Sequence, residues 1–458
     1  MLSDASAWRL QELSSRCPAP EFAADQRSDP YYDGLFPAGG AAAWVDVFSA
    51  MRQVEAGLAT MPAGLDQDHD AAVASLRSRR GFDERLRVIS VLDSWRTVTA
   101  AQLAAFTGFT SAANVRSSLI STLFAAGVAD IGQFTNVLHH LDAFGGHAAM
   151  RPSRSRIVER HLLPQLTWPE TVAMTGGTPV LTGGTYDRHN ILTAELGLRL
   201  GEYVDEVAFC LGEKFSHHDM LLGSAAGGRD LSGTPNRADM TAVRSDGLRV
   251  VVETSTTPGR SFEVKARTWA RLLSEVDPAD AGVFVLFVTA ERAETRSEAT
   301  ARNEFLTLLN AAVREHPGPS SRRTAERMGL VSWREWFPSR LTVSEAFLAG
   351  SVHRPTGPAD APWESVDLWG GDDVRQRWRD PTFGSAVLDN AHLLWGVPTW
   401  QRDTRLAPPL WADLIIGAGW SELPVPESSR AGRVRTRPFG AGSGAAQAPQ
   451  PPRRLTAC

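Results

Sequence analysis

The segment Gly282–Val288 (GVFVLFV) constrains this chain more than any other. A strand with no polar residue on either side has no face to give to water, so it must lie inside a sheet covered by helices on both faces. The neighbouring sequence can supply that setting. Apolar spacing predicts a helix from about Asp187 to Tyr203, then strands over Val204–Leu211, Arg237–Val243 and Leu248–Thr254. A helix over Ser261–Val276 precedes the apolar run, and another over about Ser297–His316 follows it. The expected order, α-β-β-β-α-β-α, is that of an α/β core.

The turn between the second and third strands sets a register. Ser245-Asp246-Gly247 suits a three-residue hairpin loop with glycine in the left-handed conformation. With Asp246 as midpoint, Met240 faces Val252 and Ala242 faces Val250 on one side, and Asp239 faces Glu253 on the other. Two carboxylates about 4.5–5.5 Å apart at Cβ repel unless a cation or a proton lies between them. Such a pair is what Mg²⁺ takes, with Mn²⁺ as a substitute, because a hard dication uses a few carboxylates and keeps waters for a substrate phosphate. Asp239 and Glu253 are therefore the candidate metal ligands.

Lysine usage points to the same place. Of 47 basic residues only Lys214 and Lys265 are lysines. Lys265 falls on the stripe Phe262, Lys265, Trp269, Leu272, Val276, the inward face of its helix, with Arg267 and Arg271 outward. An inward ammonium needs carboxylates or a phosphate, and Asp239 and Glu253 are its expected partners. Glu195, beside the Ile191, Ala194, Leu198 stripe, is expected to turn to the same site, so Lys265 and Glu195 are the candidate catalytic residues. The alternative is a buried ion pair that ties a helix to the sheet.

Upstream, residues 82–128 have a three-helix pattern. Leu86, Ile89, Val91 and Leu92 form the first stripe, Thr99 can cap the second helix through Gln102, and Ser111 can cap the third, which carries Val115, Leu119 and Leu123 and ends at Gly127. Val128–Phe134 reads as a wing strand, so a winged helix-turn-helix is expected. Asn114, Arg116, Ser117, Ser118 and Ser121 lie on the exposed face of its third helix, and phosphate contacts are expected from Arg79, Arg80, Arg85, Arg87 and Arg96.

The 458 residues allow roughly two to four domains. The expected division is an acidic helical leader at 1–75, the winged helix at 76–165, the α/β domain at 180–316, a Trp-rich region at 317–425 and a basic tail at 426–458, whose composition cannot form a core. Nine of fourteen tryptophans lie between Trp333 and Trp420; scattered among Leu and Val, they suit a core better than a base-stacking platform. No apolar stretch is long enough for a membrane span and the N-terminus has no signal-peptide pattern, so no membrane partner and a cytoplasmic location are expected. The pairs His139-His140 and His217-His218 are adjacent, so in a strand they point to opposite faces and do not make a relaxase metal motif. The loop Gly176–Thr185 lacks the Gly-Lys-Ser/Thr ending of a phosphate loop.

Three segments carry a family resemblance: LRVISVLDSWRTVTAAQLAAFTGFTSAANVRSSLISTLFAAGV, DRHNILTAELGLRL, and RADMTAV followed by VVVETSTTPGRSFEVKARTWARLL. Over about residues 80–310 the chain resembles the replication-relaxation proteins of actinobacterial plasmids and integrative elements. The resemblance implies a winged helix joined to a PD-(D/E)XK nuclease-like α/β core, with Asp239 and Glu253 holding Mg²⁺ and the lysine orienting or activating water. It implies double-stranded DNA, and other replication or conjugation proteins, as partners. Ser255 stands where the family's lysine usually lies, so Lys265 would replace it from the helix, and Ala238 stands where a proline usually precedes the aspartate. The expected function is that of a DNA-binding protein in replication, relaxation or mobilisation, acting as a Mg-dependent nicking endonuclease; the alternative is a non-catalytic initiator or transcriptional regulator on an inactive scaffold.

Overall fold

The computed structural model describes residues 7–33, 35, 42–134, 148–184, 186–218, 221, 237–291, 298–320, 323–356, 363–370, 374–380, 384, 387–389, 391 and 393–401. The basic tail and the pair His139-His140 lie outside them. The protein is a mixed α/β chain with two compact units, one built on residues 16–198 and the other on residues 199–389 together with residues 1–15. No helix among the described residues is long and apolar enough to cross a membrane.

The first unit contains strand β1 (Ala42–Val45) and helices α1 (Val47–Glu55), α2 (His69–Ser75) and α3 (Phe82–Trp95). Strand β2 (Val98–Thr99), helices α4 (Ala100–Thr107) and α5 (Ser118–Ala125), strands β3 (Ala129–Phe134) and β4 (Ala148–Pro152), and helix α6 (Trp168–Thr175) follow. The strands form an antiparallel sheet in the order β1-β3-β4-β2. Thr99 caps α4 as its spacing predicts: its hydroxyl accepts from Gln102 N at 3.1 Å, and Gln102 Oε1 accepts from Thr99 N at 3.0 Å.

The third helix begins later than expected. Asn114 Oδ1 accepts from Arg116 N at 2.9 Å, an Asx turn that halts the chain after a short 3-10 segment, Thr110–Ala113. Ser117, not Ser111, then caps α5 by accepting from Ile120 N at 3.3 Å. Gly127, at φ 71°, closes the helix as expected.

Helix α7 (Asp187–Tyr203) matches its predicted span and leads into the second unit. That unit holds strands β5 (Val207–Gly212), β6 (Met240–Arg244) and β7 (Arg249–Ser255), helix α8 (Arg260–Glu275), strand β8 (Val283–Thr289), helix α9 (Glu298–Glu315), and strands β9 (Met328–Ser332), β10 (Ser351–Pro355) and β11 (Trp363–Asp367). All seven strands form one sheet, ordered β11-β10-β9-β8-β7-β6-β5. Strand β8 is central and parallel to both neighbours, and every one of its residues is buried. Phe262, Trp269 and Leu273 of α8 and Phe305 and Leu309 of α9 pack on Val251, Val285 and Phe287. Each such side chain contributes roughly 1.5–3 kcal/mol of burial.

The division expected at residue 317 is not an edge of this sheet, because β9, β10 and β11 extend it. The Trp-rich segment contributes to cores: Trp333, Trp336 and Trp369 are buried. The short strand Ala7–Arg9, from the expected leader, pairs with Thr342–Ser344 in the same unit.

The β6–β7 hairpin has the predicted register, Met240 opposite Val252 and Ala242 opposite Val250. Gly247 sits at φ 83° and donates its N–H to Arg244 O at 2.8 Å, while Asp246 accepts from the Arg244 guanidinium and from Leu248 N. A Cβ on Gly247 would lie 2.9 Å from Gly384 Cα, a backbone atom that cannot swing away. Gly247→Ala should therefore lose at least ~1–2 kcal/mol to left-handed strain alone, read as a lower urea midpoint with an unchanged m-value.

Candidate functional site

Glu253 lies on β7 two residues beyond Val251, so its side chain emerges on the face covered by α8. It is fully buried, and both carboxylate oxygens are occupied: Lys265 Nζ donates to Oε2 at 2.5 Å and Trp269 Nε1 donates to Oε1 at 2.8 Å. Lys265 and Trp269 are four residues apart on α8, one turn of the same face. Asp239, just before β6, stands 4.0 Å from Lys265 Nζ through Oδ2, and the same oxygen accepts from Thr254 N at 2.6 Å. The three residues that the hairpin register and the helix stripe nominated are therefore brought together. The ammonium takes the cation's place beside the two acids.

The cluster has a closed side and an open one. The Glu253 side chain is 0% exposed, Asp239 14% and Lys265 24%. Burial alone would push the Lys265 pKa down, but Glu253 and Asp239 more than reverse this and, with Glu213, hold it above the ordinary lysine value. Burial pushes the Glu253 carboxyl up, opposed by Lys265. His218 is buried with its ring edge-on to Trp269, 4.4 Å between centroids, and burial, then His217, depresses its pKa to about 3. Among the described residues no three His, Cys, Asp or Glu side chains are grouped to hold a metal ion.

Glu195 does not join this site. Its buried carboxylate accepts from Arg27 Nη2 at 3.0 Å, Arg27 Nε at 3.1 Å and Gln102 Nε2 at 3.1 Å, within the first unit. Arg27 lies 168 residues upstream, a separation at which no spacing argument operates. Trp269 lies on the same inward stripe as Lys265, and apolar spacing gives it no polar task. Its role follows from the one donor that an indole carries, which must find an acceptor when buried.

The candidate DNA contacts divide. Arg79, Arg80, Asn114 and Arg116 are exposed. Arg85 is buried and donates to the carbonyls of Arg80 and Ser78, with burial lowering its pKa, so it braces the turn before α3 and has no face for phosphate. Arg87 lies over the Phe109 ring at 5.6 Å. Arg96 follows α3 at φ 67° and reaches Thr182 O at 3.4 Å. Ser117 is spent on capping, and Ser121, expected on the exposed face, is buried.

Comparison of the chain with protein-family models, with curated proteins and with solved structures gave no match.

The cluster makes a directional prediction. Lys265→Met leaves a sealed carboxylate with only Trp269, at a cost of about 3–5 kcal/mol near neutral pH. Because burial raises the pKa of Glu253, lowering the pH lets the variant protonate it and recover part of that loss. The wild type keeps the Lys265 contribution below the ordinary lysine value of 10.5 and loses it as the pH rises through the elevated folded value. Thermal unfolding of both proteins across pH 5–11 tests this; equal pH profiles would contradict it.

Proposed function

We propose that this protein is a DNA-binding protein of a plasmid or integrative element, similar to the replication-relaxation proteins. A winged helix-turn-helix within the first unit engages duplex DNA, and a PD-(D/E)XK nuclease-like core in the second acts on it as a Mg-dependent nicking endonuclease. The observation that carries this reading is the meeting of Asp239, Glu253 and Lys265 at one end of the β6–β7 hairpin, open to solvent at the aspartate and the lysine. The element order α3-β2-α4-α5-β3-β4 with its antiparallel sheet supports the winged-helix part.

Mg²⁺ binding by one or two carboxylates, with substrate phosphates completing the shell, is its usual mode; Asp239 and Glu253 would hold the ion once the Lys265 ammonium, which occupies Glu253 Oε2, turned to the phosphate. Bound there, the ion would supply Lewis-acid stabilisation of a phosphodiester. The protein's own contribution is positional. Trp269 fixes the Glu253 carboxylate, Thr254 N fixes Asp239, and Lys265 supplies a positive charge for the phosphate as water adds to phosphorus and an ester oxygen departs with a proton.

The 2.5 Å contact between Lys265 and Glu253 favours a second reading, a non-catalytic initiator or regulator in which the cluster only ties α8 to the sheet. Supercoiled plasmid incubated with Mg²⁺ or Mn²⁺ separates the two. The enzyme converts it to relaxed or linear product, and Asp239→Ala and Glu253→Ala abolish the conversion. Duplex binding without any product supports the regulator.

The basic residues give a further test. Arg79→Ala, Arg80→Ala and Arg116→Ala should each weaken duplex binding regardless of sequence and lower the log–log salt slope by about 1. Arg85→Ala should instead lower the melting temperature. Unchanged slopes in all three exposed variants would remove these residues from the interface.

A further inference from the structure

We propose that residues 62–75 form an acidic strap that occludes the outer face of α5 and must lift before that helix can enter a DNA groove; the inference rests on the DNA-binding reading above. An inserting helix needs one free face, and α5 has almost none: Leu119, Ile120, Ser121, Leu123, Phe124 and Ala125 of its eight residues are buried. Part of that cover comes from the strap. Gln67 Nε2 donates to Ser121 Oγ at 2.5 Å, and Gln67 Oε1 accepts from Thr122 Oγ1 at 3.1 Å. His69 Nδ1 donates to Ala125 O at 2.7 Å, at the last turn of the helix. The hydroxyls of Ser121, one of the residues expected on the exposed face, and of its neighbour Thr122 are thus already engaged.

The strap is held as a movable element would be. Leu65, Ala72 and Val73 are its buried anchors, whereas Asp66, Gln67, Asp68 and Asp70 are exposed. Exposed residues bound it on either side, at 53–60 and at 77–80, with Gly57 and Gly81 at φ 69° and 64°. Three carboxylates and no Lys or Arg lie within it, and its Gly64 lies against Arg116, so the strap adds negative charge to the side of α5 from which a phosphate backbone would approach. Duplex and strap compete for one surface, and the apparent affinity is the intrinsic one multiplied by the fraction of molecules whose strap is lifted.

Two variants of the full chain test the proposal, using a fluorescent mixed-sequence duplex of about 30 base pairs as probe. Gln67→Ala/His69→Ala removes three hydrogen bonds to α5 without altering that helix, and should tighten duplex binding by about tenfold or more. The second variant locks the strap. A Cβ on Gly64 would lie 3.5 Å from Arg116 Cβ, within the range of about 3.5–4.5 Å that a disulfide spans. Gly64→Cys/Arg116→Cys, in a Cys458→Ser background, is compared oxidised and reduced, so the lost arginine and the strain at Gly64 are common to both states. The oxidised form should bind markedly more weakly. If loosened and wild-type proteins bind alike and the lock has no effect, the strap is not a barrier, while the DNA reading stands. If no form binds duplex, both fail. If the loosened variant does not fold, judged by circular dichroism, the redox comparison alone decides.

Discussion

The second unit is organised around one buried carboxylate. Glu253 sits on a strand next to the centre of a seven-stranded sheet, on the face where two helices pack, and is fully buried. An ionised group there is tolerable only if it is fully paired. Lys265 and Trp269 provide that pairing from one turn of α8, which fixes the rotation and height of the helix against β7 more narrowly than interchangeable apolar contacts could. The position of Asp239 follows from the same constraint, because the hairpin register that buries Met240 and Ala242 on one face leaves the preceding aspartate beside the lysine.

The first unit uses the same device. Glu195 on α7 receives Arg27 from a distant segment and Gln102 from α4, whose own amide oxygen closes the helix cap. Asp187 at the start of α7 accepts from Ala42 N at 3.0 Å and Trp44 Nε1 at 2.8 Å, joining the helix to β1. In both units, then, charged groups on inward faces fix which elements meet, while the surrounding apolar residues supply most of the stabilisation.

What was legible in the sequence was local. Hairpin register followed from one turn and the two-residue period of strands, and the inward lysine from the period of a helix. Both arguments need only near neighbours, and Asp239, Glu253 and Lys265 span 27 residues. Glu195 misled because amphipathic spacing says which way a side chain faces and nothing of what it meets there. The late start of α5 escaped because Asn114 competes for the backbone through its side chain, which no apolar period records. The role of Arg85 escaped because its partners are the backbone carbonyls of Arg80 and Ser78, which no residue pattern records, and that of β9 because it pairs with β8 across the whole of α9.

The placement of β8 has a consequence for how the chain is made. Its seven residues, all buried, need β7 on one side and β9 on the other, and β9 follows only after an eighteen-residue helix and a further connection. During synthesis this wholly buried strand is thus released with one hydrogen-bonding edge vacant until Met328–Ser332 have emerged. The Trp-rich segment that follows α9 begins with the strand that closes this gap. Until that strand arrives, the vacant edge of β8 is of the kind with which another extended chain can pair.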